Sequence, residues 1–408
     1  MIQRKEYLNK LISFREKQVI KVITGVRRCG KSTLLFLYMD YLKSTGIDDN
    51  QIIYVNLEDI EYEQLCEYRH LYNYINERLC PDKYTYVFID EVQNCKSFEK
   101  AVDSLFIKKN VDVHITGSNA YLLSSELATF LSGRYVTIDM LPFSFVEFCE
   151  VINDNAKSKN EKFNNYLRYG SFPYVACLGD DESIIYPYIE GIYNTILIKD
   201  VAKRMNTTDI PLLESIIRFL ADSIGSPVST KKISDTINSS GRKVSVNTVG
   251  NYLQALTDSY IFYKAERFDI KGRQHLKTLG KYYLVDTGIR NLLLSGESSD
   301  LGHLLENVVF LELLRRGYKV SIGKLAEKEV DFVATDCNGV VYYQVSASVI
   351  NENTLRRELD VLQRIRDNHP KFLLTLDEVG ANTNHNGIRQ LNLIDWLLKP
   401  EIKVGARN

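Results

Sequence analysis

The residues of this sequence that are best suited to chemistry lie close together near its start. They read Gly25, Val26, Arg27, Arg28, Cys29, Gly30, Lys31, Ser32 and Thr33. Glycines let backbone N–H groups curl around phosphate oxygens without a Cβ in the way. A lysine after the second glycine supplies a positive charge for the same oxygens, and the hydroxyl after it can bind Mg²⁺. The pattern therefore predicts a loop that binds the phosphates of ATP.

The sequence on either side of this loop supplies the elements that would position it. Residues 19–24 are mostly apolar and predict a short buried strand, and residues 33–42 predict an apolar helix. A phosphate-binding loop lies between such a strand and the positive N-terminal end of such a helix. The plainer alternative is a glycine turn before a helix with an incidental lysine.

Two adjacent carboxylates supply the second half of the chemistry. Asp90 and Glu91 follow the apolar run 86–89, which is typical of a buried parallel strand that ends at the ligand-binding edge of a sheet. Asp90 is predicted to hold Mg²⁺ through its water shell, and Glu91 to polarise the water that attacks the phosphate.

Two further polar positions are candidates for the same site. Residues 111–116 predict another strand, and Ser118 follows it, where a hydroxyl would read the γ-phosphate, with a plain turn as the alternative. Arg134, in the segment Ser132-Gly133-Arg134, is a candidate arginine finger that reaches the nucleotide of a neighbouring subunit. That role would require a homo-oligomer, and a surface arginine is the competing interpretation.

Length and composition bound the class of protein. The 408 residues suffice for two or three domains, and the net charge of −1 disfavours a chain that binds polyanions over its whole surface. The seven cysteines are scattered without a Cys-x-x-Cys pair, which favours free thiols in a reducing compartment. No apolar run is long enough to span a membrane, and the first residues lack a signal peptide's apolar region. We therefore expect a cytoplasmic protein without a membrane partner.

Several stretches together resemble a known family. These are the phosphate loop, the strand ending in Asp90 and Glu91, and residues 115–118, 131–134, 141–148, 169–173 and 191–201. They are similar to prokaryotic AAA-type ATPases with a C-terminal domain of unknown function, the AAA_14/DUF4143 architecture. The resemblance covers nearly the whole chain, and it implies an α/β P-loop core over residues 1–152 and a helical lid or linker over residues 153–210.

The region 211–298 has the pattern of a winged helix. Predicted helices at 212–224, 230–237 and 247–258 precede two strands joined by a basic turn, a layout that resembles DNA-binding winged helices. Residues 225–290 carry 11 lysines and arginines against 5 aspartates and glutamates, a net charge of +6. Lys271, Arg273 and Lys277 would contact DNA phosphates from the wing. The alternative is a winged helix that mediates protein contacts only.

Residues 299–408 predict an α/β unit that resembles restriction endonucleases. Glu306 on a helix and Asp331 on a strand occupy positions that would bind a metal ion there, and Gln344 on the next strand can also be a ligand. Ser346 stands where such enzymes carry a lysine. Without that ammonium, we expect a vestigial metal site and a binding module in preference to an active nuclease.

The sequence thus predicts an α/β protein: a P-loop, AAA-type parallel sheet, then a winged helix, then a restriction-endonuclease-like domain. We expect a Mg²⁺-dependent ATPase that couples ATP hydrolysis to the binding or remodelling of DNA. Two alternatives stay open, namely a nucleotide-gated switch that binds a protein partner and turns over slowly, and a metal-dependent nuclease.

Overall fold

The computed structural model describes residues 2–120, 133–152, 156–205, 207–294 and 300–399, without the side chains of Arg204, Lys277 and Thr278. The chain divides into two compact units, Met1–Pro142 with Asp258–Tyr260 and Phe143–Thr257 with Ile261–Asn408. The four-part division drawn from the sequence is finer, and it stays a prediction. Among the helices of the described segments, none is both long and apolar enough to cross a membrane.

The first unit alternates helices and strands. Its helices are α1 (Lys5–Ser13), α2 (Lys31–Ser44), α3 (Tyr68–Asn76) and α4 (Phe98–Phe106), and its strands are β1 (Ile20–Thr24), β2 (Ile52–Asn56), β3 (Thr85–Asp90), β4 (Val111–Gly117) and β5 (Tyr135–Asp139). All residues of β1 and β3 are buried. Near-continuous apolar runs of this kind belong to strands that are covered on both faces.

The five strands form one parallel sheet in the order β2-β3-β4-β1-β5. This confirms the predicted α/β fold class. The register pairs Thr24 at the end of β1 with Gly117 at the end of β4, and β4 in turn lies beside β3. Because parallel strands end at the same edge, the loop after β1, the acids that close β3 and the turn after β4 all lie at one edge of the sheet.

The second unit combines helices with a second sheet. Its helices are α5 (Phe145–Ile152), α6 (Lys159–Tyr169), α7 (Glu182–Thr195), α8 (Ile210–Asp222), α9 (Thr230–Ser239), α10 (Val246–Asp258), α11 (Thr287–Leu293), α12 (Leu301–Arg315), α13 (Glu352–Gln363) and α14 (Leu393–Leu398). Its strands are β6 (Phe262–Asp269), β7 (Gln274–Leu284), β8 (Lys319–Leu325), β9 (Lys328–Asp336), β10 (Gly339–Ser346), β11 (Lys371–Thr375), β12 (Asn384–His385) and β13 (Ile388–Asn392). A π-helical segment, Ile196–Ala202, directly follows α7.

These eight strands form one mixed sheet in the order β12-β13-β11-β10-β9-β8-β6-β7. Strands β9 and β10, which carry Asp331 and Gln344, form an antiparallel hairpin. The hairpin of β6 and β7, which the sequence pattern assigns to the wing, joins the same sheet because β6 pairs in parallel with β8. Strands β6 and β7 and the C-terminal strands are therefore hydrogen-bonded into a single layer.

Candidate functional site

At two positions in the loop between β1 and α2, the backbone conformation suits only glycine. Gly25 has φ of +148°, and a Cβ added there would lie 2.1 Å from the carbonyl oxygen of Met140. Gly30 has φ of +102° and directly precedes the first turn of α2. Side chains are rarely tolerated in such conformations. The two glycines that the motif requires are thus the two that the loop's shape requires.

Lys31 lies inside this loop and not on the surface. Only 4% of the residue is exposed, and its Nζ donates hydrogen bonds to the carbonyl oxygens of Gly25 (3.1 Å) and Val26 (3.4 Å). The same Nζ lies 3.5 Å from Oε1 of Glu91. The fold therefore brings together the lysine and the glutamate that the sequence assigns to one reaction.

Glu91 is held at the end of β3 by several partners. Its φ of +51° turns the chain out of the strand, and its N–H donates to Oγ1 of Thr116 at 2.9 Å. Its Oε2 accepts hydrogen bonds from the Ser118 hydroxyl (3.1 Å) and from Nε2 of Gln93. Ser118 is therefore beside the predicted catalytic carboxylate, at the end of β4.

The surroundings of Glu91 set its protonation state. Burial would raise the pKa of this carboxyl, but the Lys31 ammonium, the Gln93 hydrogen bond and the Arg27 charge together bring the pKa below its usual value. Glu91 is consequently ionised at neutral pH, which is the form that accepts a proton.

Asp90 lies one residue earlier and is 1% exposed. Its Oδ2 accepts a hydrogen bond from the Tyr54 hydroxyl at 3.0 Å, and its Oδ1 accepts one from the Thr116 hydroxyl. Burial and the Asp90 charge raise the pKa of Tyr54, so that its phenol stays a donor. A carboxylate has about four acceptor positions, and these two donors leave the others for a ligand.

The remaining residues of the loop differ in their surroundings. Val26 and Cys29 are buried, and burial raises the pKa of the Cys29 thiol. Arg27 pairs with Glu58 at 2.8 Å, and Arg28 adopts a left-handed backbone with φ of +64°. The half-buried Ser32 and Thr33 lie in the first turn of α2, directly after Lys31.

Helix α1 supports the loop in a way that the sequence pattern does not reveal. The buried Arg4 donates hydrogen bonds from Nη1 to the carbonyl oxygen of Cys29 (3.1 Å) and from Nη2 to that of Leu141 (2.7 Å). The hydroxyl of Tyr7 accepts a hydrogen bond from the N–H of Leu141 at 3.2 Å. One end of α1 thus fixes the phosphate loop against the segment that follows β5.

Arg134 lies at the opposite edge of the sheet. Its carbonyl oxygen accepts a hydrogen bond from the N–H of Ile20, the first residue of β1, whereas the loop follows the last. The length of β1 puts these points roughly 13 Å apart at 3.3 Å per residue. The guanidinium pairs with Asp103. An arginine finger here would have to act on a neighbouring subunit's nucleotide, and that role stays a prediction.

The second unit brings Glu306, Asp331 and Gln344 into one buried cluster. The N–H of Asp331 donates to Oε1 of Gln344 at 3.3 Å, and Oδ2 of Asp331 accepts from the N–H of Val345 at 2.8 Å. Nε2 of Gln344 donates to Oε2 of the buried Glu358 at 2.9 Å. Asp331 and Gln344 are therefore neighbours, and the Glu306 carboxylate is close enough to affect the pKa of Asp331.

A lysine that the sequence analysis missed completes this cluster. Lys281, which comes from β7 and is 3% exposed, has its Nζ 2.7 Å from Oε1 of Glu329 and 3.3 Å from Oε2 of Glu306. The expectation that the cluster lacks an ammonium because Ser346 replaces a lysine is thus wrong. The ammonium comes from a strand far away in the sequence, across the shared sheet.

The charges of this cluster are strongly coupled. Burial, and then the Glu306 carboxylate, raise the pKa of Asp331 well above its usual range, against the attraction of Lys281. Burial also raises the pKa of Glu306 against the same lysine. Within the described residues, no group of three or more His, Cys, Asp or Glu side chains is arranged to hold a metal ion. The vestigial metal site at Glu306, Asp331 and Gln344 stays a prediction.

Two of the three basic residues that are predicted to contact DNA have described side chains. Lys271 and Arg273 lie in the turn between β6 and β7, and both are exposed. The side chain of Lys277, the third residue predicted to contact DNA, lies outside the described part of the chain. On α10, Asn247, Asn251 and Gln254 are exposed, while Val249 and Leu253 are buried.

Comparison with known proteins gives two relatives that match almost end to end. An uncharacterized protein of Haemophilus influenzae is 42% identical over 402 residues, which are 98% of this chain and 99% of that protein. An uncharacterized protein of Methanocaldococcus jannaschii is 30% identical over 400 residues, which are 92% of this chain and 85% of that protein.

Family models and solved structures add the fold. Residues 17–149 match an AAA domain, AAA_14, and residues 160–300 match a domain of unknown function, DUF8612, where the resemblance implies DUF4143. A Walker-type ATPase of Pyrococcus abyssi superposes with a TM-score of 0.50 at 16% identity, and the match covers 71% of this chain and 95% of that one. The AAA part of the resemblance is confirmed.

The buried cluster of the second unit generates a stability prediction. In Lys281→Met, Glu306 and Asp331 lose their cation, so their folded pKa values rise further above the unfolded ones. Protonation then favours the folded state at low pH, and the folded state loses stability as pH rises through the folded pKa values. We expect the loss to be small at pH 5 and about 3–5 kcal/mol at pH 8, measured by urea unfolding.

Lys264→Met on the neighbouring strand is the matched control, because Lys264 is half-exposed and its carboxylate contact with Glu266 is loose, at 3.8 Å. The control should lose less than about 0.5 kcal/mol at either pH. Adding Glu306→Gln to Lys281→Met should recover much of the loss at pH 8. A Lys281→Met loss that is the same at both pH values would contradict this account of the cluster.

Proposed function

The chain belongs to one family with the bacterial and archaeal proteins that it matches, and because its residues 17–149 match an AAA domain, we propose that it hydrolyses ATP with Mg²⁺ and couples hydrolysis to DNA. The observation that carries the proposal is the convergence of Lys31 and Glu91, 3.5 Å apart, at the carboxyl edge of the parallel sheet. Ligands bind at that edge in open α/β sheets.

The loop binds the phosphates through groups that it already presents. Its glycine backbone and the N-terminal end of α2 offer N–H donors to the β- and γ-phosphates. The Lys31 ammonium leaves the Gly25 and Val26 carbonyls and pairs with phosphate oxygens, which carry more negative charge. Since Arg4 holds the carbonyl of Cys29, the backbone of the loop keeps its shape during this exchange.

The residues at the end of β3 suit Mg²⁺, which prefers oxygen ligands in a near-octahedral arrangement. The buried Asp90 keeps acceptor positions beyond those taken by Tyr54 and Thr116, and the Ser32 hydroxyl follows Lys31 in α2. Asp90 and Ser32 would therefore hold the ion. When bound, Mg²⁺ neutralises negative charge that develops on the phosphates.

Glu91 acts on the attacking water. The water oxygen forms a bond to the γ-phosphorus, the bond from that phosphorus to the bridging oxygen breaks, and ADP leaves with the bridging oxygen. The proton of the water passes to the ionised Glu91. Once Lys31 pairs with phosphate, Glu91 loses its nearest cation, so its pKa rises toward the range in which a general base works best.

The first test removes the base and keeps the shape. Glu91→Gln should bind ATP with nearly unchanged affinity and hydrolyse it about 10²–10⁴-fold more slowly, because an amide cannot accept the proton. Phosphate release and calorimetric ATP binding measure the two quantities separately.

Glu77→Gln is the control, since this glutamate is exposed at the end of α3, and it should turn over like the wild type. Wild-type turnover in Glu91→Gln would remove Glu91 from its role.

The DNA part of the proposal rests on the second unit. Helices α8, α9 and α10 precede the hairpin of β6 and β7, and Val228 forms an antiparallel bridge with Gly280 of that hairpin. This arrangement supports a winged helix. The net charge of +6 over residues 225–290, the exposed Lys271 and Arg273, and the exposed polar face of α10 favour contact with phosphates and bases.

The wing is tested by salt dependence. Lys271→Ala combined with Arg273→Ala should weaken duplex binding and reduce the slope of log K against log salt concentration by about 2, because two phosphate contacts are lost. Basal ATP hydrolysis should not change. Fluorescence anisotropy with labelled duplex at several salt concentrations measures the slope.

Lys109→Ala combined with Lys319→Ala removes the same charge from exposed positions elsewhere and is the matched control. Equal slopes in the two double variants would exclude the wing as the contact. An absence of duplex binding at low salt would favour the protein-binding switch.

A further inference from the structure

We propose that Gln93 positions the attacking water, with one end of its amide fixing Glu91 and the other accepting a hydrogen bond from the water. This rests on the proposed function, because it assigns a second residue to the same reaction. No sequence pattern assigns Gln93 a role.

A tight backbone turn after Glu91 places the side chain of Gln93 beside the Glu91 carboxylate. Glu91 has a left-handed φ of +51°, and residues Val92–Asn94 form a single tight 3₁₀ turn. Within this turn, Nε2 of Gln93 donates hydrogen bonds to Oε2 of Glu91 and to the Ser118 hydroxyl at 3.3 Å. Ser118 itself donates to Oε2 of Glu91 at 3.1 Å, so the three side chains form a closed set.

The partners of Gln93 fix which way its amide points. An ionised carboxylate is an acceptor only, so the NH₂ end of the amide must face Glu91 and the oxygen end must face away. That oxygen, Oε1, is buried and has no hydrogen-bond donor among the residues that the structure describes. A buried carbonyl without a donor is energetically unfavourable. The amide is therefore held by Glu91 in an orientation that leaves a strong acceptor ready for a donor.

A water molecule is the donor that the reaction supplies. Oε2 of Glu91 is occupied by Gln93 and Ser118, whereas Oε1 faces Lys31, which moves to the phosphates when ATP binds. A single water can then donate one O–H bond to Oε1 of Glu91 and the other to Oε1 of Gln93. Two fixed O–H bonds point the lone pairs of the water oxygen away from both side chains. Orientation of this kind lowers the barrier to attack.

The test uses Gln93→Met, which keeps the length and volume of the side chain and removes both its donor and its acceptor. We expect kcat for ATP hydrolysis to fall roughly 10- to 100-fold while ATP affinity stays within about twofold. A fall in kcat at unchanged ATP affinity identifies a group that acts in the transition state, whereas a merely structural role would lower both.

Gln18→Met is the matched control, because Gln18 donates to the Phe106 carbonyl at an exposed position before β1. It should keep wild-type kcat and wild-type ATP affinity. Loss of ATP affinity in Gln93→Met in parallel with kcat would assign Gln93 a structural role and overturn the proposal.

Glu91→Gln separates this inference from the function on which it rests. If Glu91→Gln is inactive while Gln93→Met keeps wild-type kcat, only the role of Gln93 fails. If Glu91→Gln turns over like the wild type, the proposed mechanism itself fails.

Discussion

The short distance between Lys31 and Glu91 is the constraint on which the first unit depends. Each residue is almost fully buried, and removing one partner of a buried ion pair typically costs several kcal/mol. Glu91 follows β3 and the loop of Lys31 follows β1, and only β4 lies between these two strands. Thr116 in β4 and Ser118 directly after it both form hydrogen bonds with Glu91. The Lys31 ammonium is thus already paired with Glu91 and with backbone carbonyls, and the phosphates of a nucleotide must compete with these partners for it.

The second unit also contains a buried lysine beside carboxylates, but here the carboxylates outnumber the lysine. Lys281 lies between Glu329 and Glu306, and the carboxylates around it outnumber it, so their protonation depends strongly on its presence. In the first unit a phosphate ligand can replace Glu91 as the partner of Lys31, since phosphates carry more negative charge than a carboxylate. Within the described part of the second cluster, the ammonium offsets only part of the negative charge of the acids that the sequence pattern suggested for a metal, and burial favours their protonated forms.

Much of the first unit follows from the sequence, because its signals are local. The glycines of the loop, the apolar runs of β1 and β3 and the acids after β3 identify the fold class and the edge at which Lys31 and Glu91 meet. Long-range contacts carry no such signal. Arg4 contacts Leu141 across 137 residues and Lys281 contacts Glu306 across 25, and neither periodicity nor spacing predicts these contacts. The sequence also predicts that the β6–β7 hairpin is a separate wing, whereas β6 pairs with β8 in the larger sheet. The hydrophobic pattern of a strand does not indicate which strand it will pair with.

The most direct test of the account is the affinity of ATP for the wild type and for Lys31→Ala, measured by calorimetry in the presence of Mg²⁺. Lys31 contributes a buried point charge to the phosphates, so its removal should weaken binding by about 100-fold or more, on the scale of about 3 kcal/mol for a charged hydrogen-bonding partner. Arg78→Ala, which removes an exposed charge at the end of α3, should bind like the wild type. Equal affinity in Lys31→Ala and the wild type would contradict the assignment of the loop.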